Sequence, residues 1–285
     1  MRVEAKLARD DAARNHDVMT GQFQPINDDH AIEQVTFTIG FARPFTEADL
    51  AVFRKRHDLW ADTLPAMRDP AVFAVQIEDG SAVRVEKAPG VEFAFMRPDG
   101  SPVWAMRVLG PEIVVECTRY SRWARVWGAA QRYFGLALDL VSEGEGEPNA
   151  MLRTSLVVQD AFKAPADGAD LRSLFVNTDL LPEAMFGRGS DWHVNTGWFS
   201  DLETLRVLHN LNIDGAGDVA SNIARVRIQH VMTVIRGPAD VNETASERRD
   251  WLGKAMDALH LENKALVGRL LQPALLNRIG MPELS

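Results

Sequence analysis

Residues 112–141 read EIVVECTRYSRWARVWGAAQRYFGLALDLV. Ile113, Val114 and Val115 are β-branched and apolar, which suits a strand. Beyond them Trp123, Val126, Trp127, Ala130, Phe134, Ala137, Leu138 and Val141 share one helical face. A strand that runs into a one-faced helix predicts a sheet with that helix laid against it. Thr118 and Ser121 are candidate N-caps. Arg122, Arg125 and Arg132 lie away from the centre of the stripe and read as a solvated basic face. Trp123 and Trp127, four residues apart on the apolar side, read as core residues rather than a ligand-stacking pair.

Composition narrows the function classes. The chain has 285 residues, 46% of them hydrophobic and 25% charged, which allows a sizeable core in one large domain or two small ones. A net charge of −9 argues against electrostatic partnership with nucleic acid or an anionic membrane. Cys117 is the single cysteine, so no intrachain disulfide or multi-cysteine metal site can form, and a reducing, cytoplasmic setting is expected. Between a strand and a helix, Cys117 reads as a buried, inert thiol. The opening MRVEAKLARDDAARN lacks the apolar core of a secretory signal, and no apolar run approaches membrane-spanning length.

Outward from the central stretch, residues 1–30 are polar and acidic and read as a flexible arm or a strap across the domain surface, with one short helix near residues 4–15. Residues 31–164 form a first α+β subdomain. Its opening strand, 32–41, alternates at Val35, Phe37 and Ile39. Thr46 and Asp49 make an acidic capping box, and Leu50, Phe53, His57, Trp60 and Leu64 recur at helical spacing up to Pro65. A strand at 72–77 precedes a hairpin, 91–96 and 103–109, around the turn Arg97-Pro98-Asp99-Gly100. After the central helix, 142–149 reads as an acidic connector and 152–162 as a strand returning to the sheet. The segment PADGAD, 165–170, marks the boundary to a second subdomain, 165–285. It holds a short helix at LLPEAMF, an aromatic extended segment at 191–199, and strands at 204–213 and 224–235 separated by a DGAGD loop. A long helix at 246–271 closes it. The fold class expected is α+β, antiparallel sheets covered by helices, as one unit or as two similar strand-helix-strand subdomains.

The central stretch and LHLENKALVGRLLQPALLNRIGM near the end together resemble a family of sporadically distributed bacterial proteins. The similar features are a strand followed by Tyr-x-x-Trp opening a helix, here Tyr120 and Trp123, and a late helix carrying a Leu-His pair, here Leu259 and His260. The resemblance covers the chain from about residue 32 and implies an α+β order. It implies no reaction, cofactor or catalytic residue.

No HExxH, GxSxG, P-loop or GxGxxG pattern is present, and no catalytic residue is assigned. Two weaker constellations remain. If 204–213 and 224–235 pair with Ile213 opposite Val226, His209 faces His230 across the hairpin. Two imidazoles at that distance suit an acid–base pair or a divalent metal, with His193 or Asp191 as a third ligand. The plainer outcome is two hydrogen-bonded histidines in a half-buried sheet. The second constellation is the final helix, where Leu259, Asn263, Leu266 and Leu270 make an apolar seam with one amide in it. Such a seam suits an interface with another helix, or an Asn263 bonded within its own chain.

The function expected from these features is a non-catalytic interaction or assembly subunit of a bacterial accessory system, of defence or toxin–antitoxin type. Its partner would be itself or a protein from the same gene neighbourhood. The alternative is a metal- or small-ligand-dependent enzyme or binder using His209 and His230. No cofactor beyond a divalent metal is called for.

Overall fold

The alternation at Val35, Phe37 and Ile39 buries one face of a strand that sits in the middle of the sheet. In the computed structural model the strands are β1 (Gln24–Pro25), β2 (Ile32–Phe41), β3 (Ala66–Arg68), β4 (Phe73–Glu78), β5 (Ser81–Lys87), β6 (Gly90–Met96), β7 (Pro102–Leu109), β8 (Glu112–Cys117), β9 (Met151–Pro165), β10 (Trp192–Leu202), β11 (Leu205–Asp218) and β12 (Ile223–Ile235). The helices are α1 (Glu47–Lys55), α2 (Trp123–Glu143), α3 (Ala245–Leu270) and α4 (Pro273–Arg278). The structure describes residues 22–27, 29–70, 73–78, 81–87, 89–143, 149–187, 191–218, 220–236 and 243–281.

Ten strands form one antiparallel sheet, in the order β10-β11-β12-β9-β2-β8-β7-β6-β3 with β1 added on β9. β4 and β5 make a separate hairpin. The architecture is α+β, with the sheet packed against helices. β9 pairs with β2 and with β12, so one sheet runs through both the 31–164 and 165–285 halves. On the inner face the alternating apolar residues meet the helices. On the outer face the register lines up Asn195, Asn212, Gln229, Gln159 and Gln34 in one row across five strands. Polar side chains there remove any need for a second covering layer.

Two hydrophobic clusters lie on the inner face. One gathers Phe37, Ile39, Leu50, Phe53, Trp60, Val115 and the buried face of α2. The other gathers Phe162, Phe175, Leu211, Ile213, Ile228, Leu270 and Leu276. α3 spans both: Leu252, Met256 and Leu259 belong to the first cluster, Leu266 and Leu270 to the second. Its 26 residues reach about 39 Å, long enough to cross the sheet. Thr244 and Glu247 cap it with a reciprocal box, as Thr46 and Asp49 cap α1.

Several local expectations change. Of the two readings of the N-terminal segment, residues 22–27 follow the strap, because Phe23 is buried and β1 pairs with β9; residues 1–21, with the helix expected near 4–15, lie outside the described residues. The DGAGD segment is strand, not loop: Gly215 pairs with Val226 and Gly217 with Ala224, since ladder bonds need only the backbone. Thr118 does not cap α2; its hydroxyl donates to the Pro102 carbonyl at 2.6 Å. α1 stops at Lys55, and His57 turns inward, its Nε2–H donating to the Leu64 carbonyl at 2.8 Å. The turn at 97–100 holds, with Gly100 at φ +83°, a conformation that favours glycine.

Phe37 is fully buried in the central strand and touches the rings of Trp123 and Trp127. Phe37→Ala is expected to lower unfolding free energy by about 3–5 kcal/mol, read by urea denaturation.

Candidate functional site

The hairpin register differs from the expected one by two residues. Leu211 stands opposite His230, and His209 opposite Met232. A slip of two preserves the face, so both histidines still point inward, one diagonal step apart. His209 Nδ1 and His230 Nε2 are 3.0 Å apart. Ser200 Oγ lies 2.7 Å from His209 Nε2, and Asn263 Oδ1 lies 3.0 Å from His230 Nδ1. Trp198 stacks on His209 with ring centroids 4.8 Å apart.

This chain of bonds has one direction. An amide oxygen can only accept, so His230 carries its proton on Nδ1. Its Nε2 must then accept from His209 Nδ1–H, and His209 Nε2 accepts from the Ser200 hydroxyl. Every ring nitrogen along the chain is satisfied with both imidazoles neutral. Burial favours that state: it lowers the His209 pKa and pushes His230 down to about 4, the Asn263 bond opposing in part.

These bonds use all four ring nitrogens, so the pair cannot take a metal without breaking its own network. His193 is not a third ligand. It projects from the opposite face of the sheet and pairs with Asp214 at 2.6 Å. Asp191 accepts from the Gly217 amide instead. Among the described residues no three His, Cys, Asp or Glu side chains converge as metal ligands. The interface seam is also redirected. Leu259, Asn263, Leu266 and Leu270 are all buried within the chain, because the inner face of its own sheet covers α3.

Asn263 leads to a second feature. It lines a cleft of about 970 Å³ bounded by β2, β9, the start of α2, α3 and the end of α4. At its base is Asp160, 5% exposed, its carboxyl accepting no hydrogen bond among the described residues. Asp160 has the inner-face parity of Leu156, Val158 and Phe162 on β9, and lies opposite Ile32 and Ile228. Burial in this apolar company pushes its pKa up to about 7. Beside it Tyr120 is raised to about 12, by burial first and then by the Asp160 charge. The His30 ring meets Tyr120 edge-on at 5.4 Å. On the far wall His260 stacks on Trp123 with centroids 4.0 Å apart, and burial, assisted by Lys264, lowers it to about 4. Cys117 is fully buried and its thiol is pushed to about 11, so it is unreactive.

Sequence reasoning missed Asp160. The signal was there: in LRTSLVVQDAF one carboxylate occupies a position whose neighbours at two-residue spacing are apolar. Compared with known proteins, the chain matches no protein-family model and no curated protein.

The sign of the Asp160 effect on stability is defined. Its folded pKa lies above the unfolded one, so stability is greatest below about pH 4 and is lost as pH rises toward 7. Asp160→Asn removes that loss. The variant is expected to gain up to roughly 4 kcal/mol over wild type between pH 4 and 7, with a plateau above, measured by denaturation across pH.

Proposed function

We propose that this chain binds a small polar ligand in the cleft at Asp160. The observation that carries the reading is a carboxyl 5% exposed, without a partner among the described residues, at the base of a cleft large enough for a metabolite-sized molecule. An unpaired buried carboxyl costs stability that a valine at the same place would not. A group held near neutral pKa in a cleft is a common mark of a functional site. Tyr120, His30 and Asn263 supply further polar atoms around it. The histidines of the alternative sequence reading enter indirectly, by holding Asn263.

A screen of metabolite-like compounds by thermal shift tests this reading. Compounds that raise the melting temperature are expected to slow amide exchange at residues 120–125 and 277–281. An absence of stabilising compounds, or protection confined to other regions, counts against it.

A second reading, assembly with another copy of the chain, has one observation in its favour. β10 is an edge strand of 11 residues with no Lys, Arg or Pro to block pairing, and Phe199 on it is 58% exposed. Light scattering on a size-exclusion column is expected to give twice the monomer mass; a strict monomer at high concentration removes this reading.

A further inference from the structure

The walls of the cleft carry an unusual charge pattern. Arg122, Arg125, Lys264 and Arg278 line it, and none makes an ion pair among the described residues. Elsewhere arginines are commonly paired: Arg107 with Glu92 and Glu116, Arg153 with Glu112, Arg225 with Glu33, Arg249 with Asp139. Against four cations the cleft sets only Asp29 and Asp160. In a chain of net charge −9 this is a local excess of positive charge.

The helix beneath it adds to the anomaly. The N-terminal end of an α-helix carries partial positive charge and free N–H groups, and favours acidic residues. α2, 21 residues long, has no acidic residue in its first turn. Its cap position is Arg122, whose carbonyl accepts from Arg125 and Val126 and whose side chain can accept nothing. Arg122 and Arg125 therefore place charge where the helix itself repels it. An anion in the cleft would reverse both penalties at once.

Two buried groups fit the same occupant. Asn263 gives its oxygen to His230, which leaves its Nδ2–H2 to offer the cleft. Asp160 donates a hydrogen bond to an anion when protonated, the form that its burial favours. We propose that the cleft binds the phosphate group of a small phosphorylated compound, gripped by Arg122, Arg125, Lys264 and Arg278 at the N-terminus of α2, with Asp160 and Asn263 donating from beneath. Four cations exceed what one carboxylate needs and suit a dianion. The cleft volume leaves room for the body of the molecule as well. The inference rests on the cleft being a ligand site.

Isothermal titration in low-salt chloride buffer tests it, with inorganic phosphate, adenosine monophosphate, citrate and uncharged adenosine as probes. At least one phosphate probe is expected to bind, and to weaken as salt rises. Arg122→Ala with Arg125→Ala, both exposed and outside the core, is expected to weaken binding by about tenfold or more. Arg132→Ala, on the same helix but outside the cleft, is expected to leave it unchanged. Equal affinity for phosphate and the nucleotide supports recognition of the phosphate group alone; tighter nucleotide binding supports recognition of the body too. Binding of citrate without phosphate, or phosphate binding indifferent to the double variant, overturns the proposal. Cleft binding of neutral compounds only also overturns it while leaving the ligand-site reading intact. No ligand of any kind overturns both.

Discussion

β9 hydrogen-bonds to β2 along one edge and to β12 along the other, and the rest of the molecule is placed by that double pairing. Buried backbone groups must find partners, and a strand of 15 residues has many to satisfy. Meeting that demand on both sides joins the two halves into one sheet. It also sets the inner row Leu156, Val158, Asp160, Phe162 across both hydrophobic clusters. Helix α3 then packs over this row, and α2 beside it over β8. The cleft lies where their cover is incomplete, between the start of α2 and the second half of α3.

Two sets of buried polar groups near the cleft contrast. Ser200, His209, His230 and Asn263 satisfy one another in a single directed chain, so the molecule can keep them buried at little cost. Removing one member would leave its neighbour unpaired, a loss of about 1–3 kcal/mol. Asp160 satisfies nothing and is satisfied by nothing among the described residues. The contrast separates an architectural network from a site. A shared residue connects them, because Asn263 ends the first and faces the second.

Charge follows the same division. Across the outer face and along the helices many acids and bases are paired, including Glu92 between Arg68 and Arg107. In the cleft four bases line the wall with no ion pair among the described residues. Surface pairs contribute little to stability individually, so four missing partners would be unremarkable if scattered. Their gathering in one cleft, two of them at a helix terminus, together with one buried carboxyl unpaired among the described residues, is what distinguishes the place.

Local periodicity was enough to read most elements. Phe37 and its neighbours marked a strand, the stripe from Trp123 to Leu138 a helix, Thr46 with Asp49 a cap, and Arg97 to Gly100 a turn. Each signal depends on residues close in sequence, where the physics of a helix or strand repeats every few positions. The same signals placed His209 and His230 on one face, because parity survives a two-residue slip. They could not give the register itself, which is set by where the hairpin turns: pairing runs on to Asp218 opposite Ile223, past the point where the segment reads as a loop. Nor could they place His193, whose parity matters only once its strand has a partner. They showed Leu259, Leu266 and Leu270 as an apolar seam but not what would cover it; the inner face of the chain's own sheet does. Asp160 was readable as an odd residue in an apolar row. Only the approach of Tyr120, Asn263 and four unpaired cations, from elements more than a hundred residues apart, made it the base of a cleft.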